Sequence, residues 1–233
     1  MDENQKSSGV LLPGSIVAAG LLIAGALVYN VGSENLPTAN SNQPVNNATA
    51  DSGSFLDDDV VLGDPGAPVA IVEFGDYQCP FCGRFFRDAE QRLRADYIKT
   101  GKAKMVYRDF AFLGPESQGA ALASQCAAEQ GKFWAYHDRL FEVETLDSRE
   151  NNGNLNAKLF QSLADELKLN RAQFDTCMST QKYRAEVEKD YNDGVAAGVQ
   201  GTPATFINGK LISGAVPYSV FQSEIESALR ASR

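Results

Sequence analysis

The sequence predicts an α/β domain with a large helical insertion, preceded by an apolar N-terminal helix and a polar tether. Three observations predict it. A short apolar run, Val69 to Phe74, breaks at a turn, passes through Cys79-Pro80-Phe81-Cys82 and enters a segment of helical spacing. From about residue 114 to 199, apolar positions recur three and four apart, punctuated by Gly-Asn-Leu-Asn and Leu-Asn-Arg. The chain then closes on a hairpin and one amphipathic helix.

In chain order, residues 1–9 are polar, with Lys6 the only positive charge, and no charge follows from Val10 to Gly32. Leu11 to Tyr29 reaches about 28 Å as a helix, nearly enough to cross a hydrocarbon core. Residues 10–31 therefore read as a transmembrane anchor with a cytoplasmic N-terminus. The alternative is a signal peptide cleaved at Ala24-Gly25-Ala26, but Leu27-Val28-Tyr29 carries the apolar run past that site. A buried core helix fits poorly, because no polar face exists. Residues 32–55, rich in Asn, Ser, Ala, Pro and Thr, read as a flexible linker. Asn47-Ala48-Thr49 matches a glycosylation sequon by composition alone, and Asp57-Asp58-Asp59 reads as a solvated charge run.

The domain proper is expected over 56–233. Val60-Val61-Leu62 reads as a short first strand, turned by Gly63-Asp64-Pro65-Gly66. Arg84, Phe85, Phe86, Ala89, Leu93 and Tyr97 follow the second cysteine at roughly helical spacing, and Lys104 to Phe110 reads as the next central strand. Helices are expected at Glu116–Gln130, Lys132–Val143, Asn156–Leu167, Arg171–Ser179 and Lys182–Val199. Ala204–Ile207 and Lys210–Ser213 flank Asn208-Gly209, a tight hairpin turn, and Val216–Leu229 closes the domain.

The C-x-x-C carries the chemistry. A cysteine at a helix N-terminus meets the positive end of the macrodipole and unpaired N–H groups, and both stabilise a thiolate. Pro80 suits the first helical turn. Half of a zinc site is the competing reading, but the chain has one histidine, His137, and Cys126 and Cys177 lie far off, so no metal or cofactor is implied. Strand, C-x-x-C, helix is the thioredoxin-like redox signature.

Three segments make the resemblance specific. Gly75-Asp-Tyr-Gln-Cys-Pro-Phe-Cys resembles the active-site turn of DsbA-type thiol–disulfide oxidoreductases. Gly201-Thr-Pro-Ala-Thr-Phe-Ile-Asn-Gly209 is similar to that family's cis-proline loop, and Gln130-Gly-Lys-Phe-Trp-Ala-Tyr-His137 to its helical insertion. The resemblance implies a thioredoxin-like fold with an inserted helical subdomain. It also implies that Cys79 attacks and carries the substrate while Cys82 resolves the mixed disulfide. Glu73 stands where superfamily members carry a buried acid; burial raises a carboxyl pKa, which suits proton exchange with Cys82. The alternative is a tolerated edge residue. Pro203 is expected to be cis and to face the C-x-x-C, with the Thr202 backbone pairing with substrate and Pro80 and Phe81 contacting it. Phe81 departs from the histidine of the best-known strongly oxidising members, which leaves the direction of electron flow open. His137 and Trp134 read as packing and capping residues.

Four cysteines allow three pairings, and with Cys79 and Cys82 taken, Cys126 and Cys177 remain. A bridge between them implies an oxidising compartment and closes a loop worth about 4 kcal/mol; two buried free thiols are the alternative. The net charge of −9 argues against nucleic acid. The expected protein is a monomeric disulfide-forming oxidoreductase, anchored with its catalytic domain extracytoplasmic, or secreted after cleavage. Its partners would be reduced exported proteins and a membrane redox protein that reoxidises it. A reductase or isomerase of the same fold, and a peptide-binding chaperone module with structural cysteines, are the alternatives.

Overall fold

A strand buried on both faces must be a near-continuous apolar run. β1 (Val69–Gly75) is one, buried at every position, with Glu73 its only charge. The computed structural model describes residues 59–144 and 149–232; the expected anchor at 10–31, the linker at 32–55 and the Asn47 sequon lie outside the described residues. Among the described residues no helix is long and apolar enough to cross a membrane.

The sheet has four strands in the order β2-β1-β3-β4. β1 pairs in parallel with β2 (Ala103–Asp109) and antiparallel with β3 (Ala204–Ile207), so Glu73 lies opposite Tyr107 on one side and Thr205 on the other. Glu73 is thus on an inner strand, not an edge. β4 (Lys210–Ser213) completes the hairpin, and Asn208 and Gly209 adopt the positive φ (45° and 85°) that its turn requires. The strand expected at Val60–Leu62 is not one. Only Leu62 bridges Met105, through two hydrogen bonds of 2.8 and 3.0 Å, before Gly63 at φ 96° turns the chain away.

α1 covers residues 80–98 and alternates α turns (Pro80–Phe85, Gln91–Leu93) with π turns (Phe86–Glu90, Arg94–Ile98). A π turn closes on i→i+5 bonds and holds more residues than an α turn. Glu90, four residues after Phe86 and three before Leu93, lies on the inward arc and is buried beside Phe86 and Ala89. The insertion follows β2 as α2 (Pro115–Ala128), α3 (Phe133–Glu144), α4 (Ala157–Glu166), α5 (Arg171–Thr180) and α6 (Arg184–Ala196). The punctuating asparagines are N-caps: Asn156 Oδ1 accepts from Leu159 N and Asn170 Oδ1 from Gln173 N, each at 3.1 Å. α6 starts at Arg184 rather than Lys182 because Gln181 is left-handed (φ 51°) and ends α5. Cys126 on α2 and Cys177 on α5 are joined in a disulfide.

Apolar cores fill both faces of the sheet. Phe85, Ala89 and Leu93 of α1 meet Phe221 and Ile225 of α7 (Tyr218–Ala231) on one face. On the other, Val72, Phe74, Val106, Phe110 and Phe206 pack together. A third core fills the insertion and reaches Tyr77, Cys79 and Cys82, so the insertion is built onto the C-x-x-C turn. α6 is clamped to β2 by the buried Arg108, whose Nε donates to Asp190 Oδ1 at 2.8 Å, and by Asp109 N, which donates to Asp190 Oδ2 at 3.1 Å. Gly194 lets α6 approach this face: a Cβ there would sit 2.7 Å from Phe110 and 2.9 Å from Phe74. Gly194→Ala is expected to lower unfolding stability by about 1–3 kcal/mol through overpacking, despite alanine's higher helix propensity; urea denaturation of the two proteins measures it.

Candidate active site

Cys79 is the N-cap of α1, with extended backbone (φ −70°, ψ 117°), and Pro80 follows at the first helical position. Asp76 O accepts from Cys79 N at 3.0 Å, which sets the turn that delivers the chain into the helix. Both C-x-x-C thiols are free; Cys79 is 6% exposed and Cys82 fully buried. Across the turn lies the loop before β3, where the Thr202–Pro203 peptide is cis. The Cys79 thiol donates to Thr202 O at 3.3 Å. Phe81 projects into solvent, 54% exposed, with the Arg84 guanidinium 5.1 Å from its ring. Arg84 also donates to Ala215 O at 3.1 Å, tying α1 to the segment before α7.

The two sulfurs differ sharply in acidity. The Cys82 thiol, with help from Thr202 and backbone N–H groups at the helix end, lowers the Cys79 pKa to about 6 against the upward pull of burial. Burial, reinforced by Cys79, pushes Cys82 well above the ordinary thiol range. Near neutral pH the pair therefore holds one proton, on Cys82. Glu73, on β1, is fully buried and neither carboxyl oxygen has a hydrogen-bond partner among the described residues. Burial first, then the charges of Glu90 and Cys79, raises it well above the usual carboxyl range, so it is held neutral.

Sequence reasoning gave Asp76 no role, yet its carboxylate organises the turn. Oδ1 accepts from Gln78 N (2.9 Å) and Ser117 Oγ (2.6 Å); Oδ2 accepts from Phe112 N (3.0 Å) and Leu113 N (3.1 Å). Gln78 Nε2 donates to the same Ser117 hydroxyl at 2.8 Å, so the C-x-x-C turn and α2 share one buried network. An Asp two residues before a turn N–H was the available signal. Its partners, 36 to 41 residues away, were not. Glu90 was also missed, although it stands four residues after Phe86 and three before Leu93, on the inward face of the helical pattern. His137 packs among Tyr77, Phe86, Tyr107 and Phe141.

Two cysteines one helical turn apart, one poised to ionise and one held as thiol, form a pair built to exchange electrons with other thiols. On a thioredoxin fold, that defines a thiol–disulfide oxidoreductase. Known proteins agree. A thioredoxin family model matches residues 56–227. The disulfide bond formation protein D of Bacillus subtilis is 31% identical over 177 residues, 73% of this chain and 77% of its own length. A probable disulfide bond formation protein D of Bacillus anthracis is 28% identical over 212 residues, covering 88% and 91%. The crystal structure of oxidised BdbD from Bacillus subtilis superposes with a TM-score of 0.68 at 31% identity, over 74% of this chain and 93% of that one. Alpha-DsbA1 of Wolbachia pipientis, 23% identical, shares the fold at a TM-score of 0.69 over 78% and 98%. The chain belongs to the DsbA-like thioredoxin family and is a protein thiol–disulfide oxidoreductase.

Since the Cys82 thiol is the first cause of the Cys79 shift, Cys82→Ala is expected to move the Cys79 titration from about 6 toward the ordinary thiol range, read by thiolate ultraviolet absorbance. The shift also sets a pH dependence of stability. Between about 6 and the ordinary thiol value near about 8.5, the unfolded reduced chain binds the Cys79 proton and the folded one does not. Stability of the reduced form therefore rises with pH through that window, and the gain is lost as pH falls through about 6. The oxidised form lacks this group. Thermal melts of both forms at pH 5, 7 and 8.5 are expected to show the reduced form gaining on the oxidised one.

Proposed function

We propose that this chain is an exported, membrane-tethered oxidase that introduces disulfides into folding proteins. A substrate thiolate attacks Cys79 Sγ, and the Cys79–Cys82 bond breaks with its electron pair leaving on Cys82. A second substrate thiolate then attacks its own sulfur in the mixed disulfide and releases Cys79 as thiolate. The substrate dithiol is oxidised by two electrons and the C-x-x-C is reduced. Cys82 takes a proton from Glu73 on leaving and returns it when the pair is reoxidised. A membrane redox protein accepts the two electrons in that reoxidation, and residues 10–31 hold the enzyme beside it as a monomer.

The observation that carries the direction is the stabilised Cys79 thiolate, since a stabler thiolate in the reduced form makes the disulfide more oxidising. Phe81 supplies an exposed apolar contact for an unfolded chain, and the Thr202 backbone supplies an edge on which a peptide adds as a strand, with Pro80 and Pro203 flanking it. Export is supported by the Cys126–Cys177 disulfide, which suits an oxidising compartment, and by the disulfide-forming names of the Bacillus relatives.

Equilibration of the described domain against glutathione is expected to give a potential near about −120 to −150 mV; a value near about −270 mV would place the chain with reductants. Cys79→Ala is expected to abolish oxidation of a reduced model substrate.

A further inference from the structure

Three buried side chains, Asp76, Gln78 and Ser117, stand in line beneath the C-x-x-C turn, and each hydrogen bond in the line can run in one direction only. Asn151 N donates to Gln78 Oε1 at 2.5 Å, Gln78 Nε2 to Ser117 Oγ at 2.8 Å, and Ser117 Oγ to Asp76 Oδ1 at 2.6 Å. A backbone N–H only donates, so the Gln78 amide must turn its oxygen to Asn151 and its NH2 to Ser117. Ser117 accepts there, which leaves its one hydrogen for Asp76. Gln78 N, Phe112 N and Leu113 N also donate to this carboxyl. Asp76 thus meets as many donors as a carboxylate has lone-pair sites, and no place remains for a proton of its own. Burial pushes its pKa up, and the same four donors pull it back.

The outer end of the line is a surface loop. Asn151 is exposed and left-handed (φ 51°), and its Nδ2 donates to Leu113 O at 2.7 Å. Gly153 N and Leu155 N donate to the Glu116 carboxylate at 2.9 and 3.0 Å, which pins the loop across the start of α2. The inner end is the nucleophile. Cys79 N donates to Asp76 O, and the Cys79 thiol donates to Thr202 O. The Gln78–Cys79 peptide is therefore held from two sides, by α2 and the loop through Gln78 and by the loop before β3 through Cys79. Its setting matters, because the Phe81 and Cys82 N–H groups favour a thiolate only while the Cys79 sulfur lies over the helix end.

We propose that Gln78 and Ser117 are positioning residues for Cys79, and that the loop at Asn151 is the outer support of the C-x-x-C turn, so that a change in the loop alters the setting of Cys79 through Gln78. This role rests on the oxidoreductase reading of Cys79 and Cys82 but not on the direction of electron flow.

Thiolate absorbance of the full reduced chain tests it. Ser117→Ala cuts the line at its centre; the Cys79 midpoint is expected to rise from about 6 by about half a pH unit or more. Exchange of the Asn151 amide, read by NMR, is expected to quicken about tenfold. Gln78→Met keeps the length of the side chain and loses both of its bonds, and it carries the same expectation should Ser117→Ala fail to fold. Asn151→Val strains the left-handed backbone that aims the N–H at Gln78. Although residue 151 is exposed, this variant is also expected to raise the midpoint. Asn151→Gly, which keeps the N–H and accepts a positive φ, is expected to leave it near about 6. An unmoved midpoint in Ser117→Ala and Gln78→Met overturns the positioning role, since the line would then serve only the stability of the fold. An unmoved midpoint in Asn151→Val, or an equal rise in Asn151→Gly, overturns the part given to the loop. A reducing potential in the unaltered chain would instead sink the oxidase reading and leave the positioning role standing.

Discussion

The contact between the Cys79 thiol and the Thr202 carbonyl joins residues 123 positions apart, and the geometry of the site depends on it. It holds the N-terminus of α1 against the loop that opens β3. To bring those two ends together the sheet must put β1 and β3 side by side, and it does, with Phe74 opposite Ala204. Everything between them in sequence except β2 has to leave the sheet and return. The insertion uses that excursion: it leaves after β2, builds its own core on Tyr77, Cys79 and Cys82, and comes back as α6 against Phe74 and Phe110.

Burial then divides the labour between the sulfurs. At the helix mouth Cys79 meets N–H donors and a neighbouring thiol, and its ionised form gains. One turn deeper, Cys82 is fully buried, with Cys79 and Glu73 as its ionisable neighbours, and keeps its proton. Glu73 extends the same logic below the pair. An ionised carboxylate without partners inside a sheet is too costly to persist, so the group stays neutral and able to give a proton. Arg94 compensates the neighbouring acids, which lets a second buried carboxyl, Glu90, exist at all. Single buried charges would destabilise this core, whereas a paired cluster is tolerated.

Much of this architecture was legible in the chain. β1, the C-x-x-C at a helix start, the hairpin around Asn208-Gly209 and the five inserted helices all follow from periodicity and turn chemistry, which are local. Asn156 and Asn170 marked helix starts because an asparagine cap acts over three residues. The strand expected at Val60–Leu62 was misread for the complementary reason. Three β-branched or apolar residues suit a strand, but pairing needs a partner edge, and Gly63 removes the chain from it after one bridge. Asp76 and Glu90 were invisible for a related reason. The hydrogen-bond partners of Asp76 arrive from more than thirty residues downstream, and the His137 and Asp138 groups gathered around Glu90 and Arg94 arrive only when α3 packs on α1.

The sequence by itself determined the redox pair, the order of elements and the excess of helix after β2, because these rest on spacing and on interactions within a few residues. The tertiary structure alone decided which cysteine ionises, which carboxyls are buried together, and that Cys126 and Cys177 meet. Those outcomes depend on dielectric and distance in three dimensions, and both are set only when β1, α1, α3 and the loop at Thr202 close around one another.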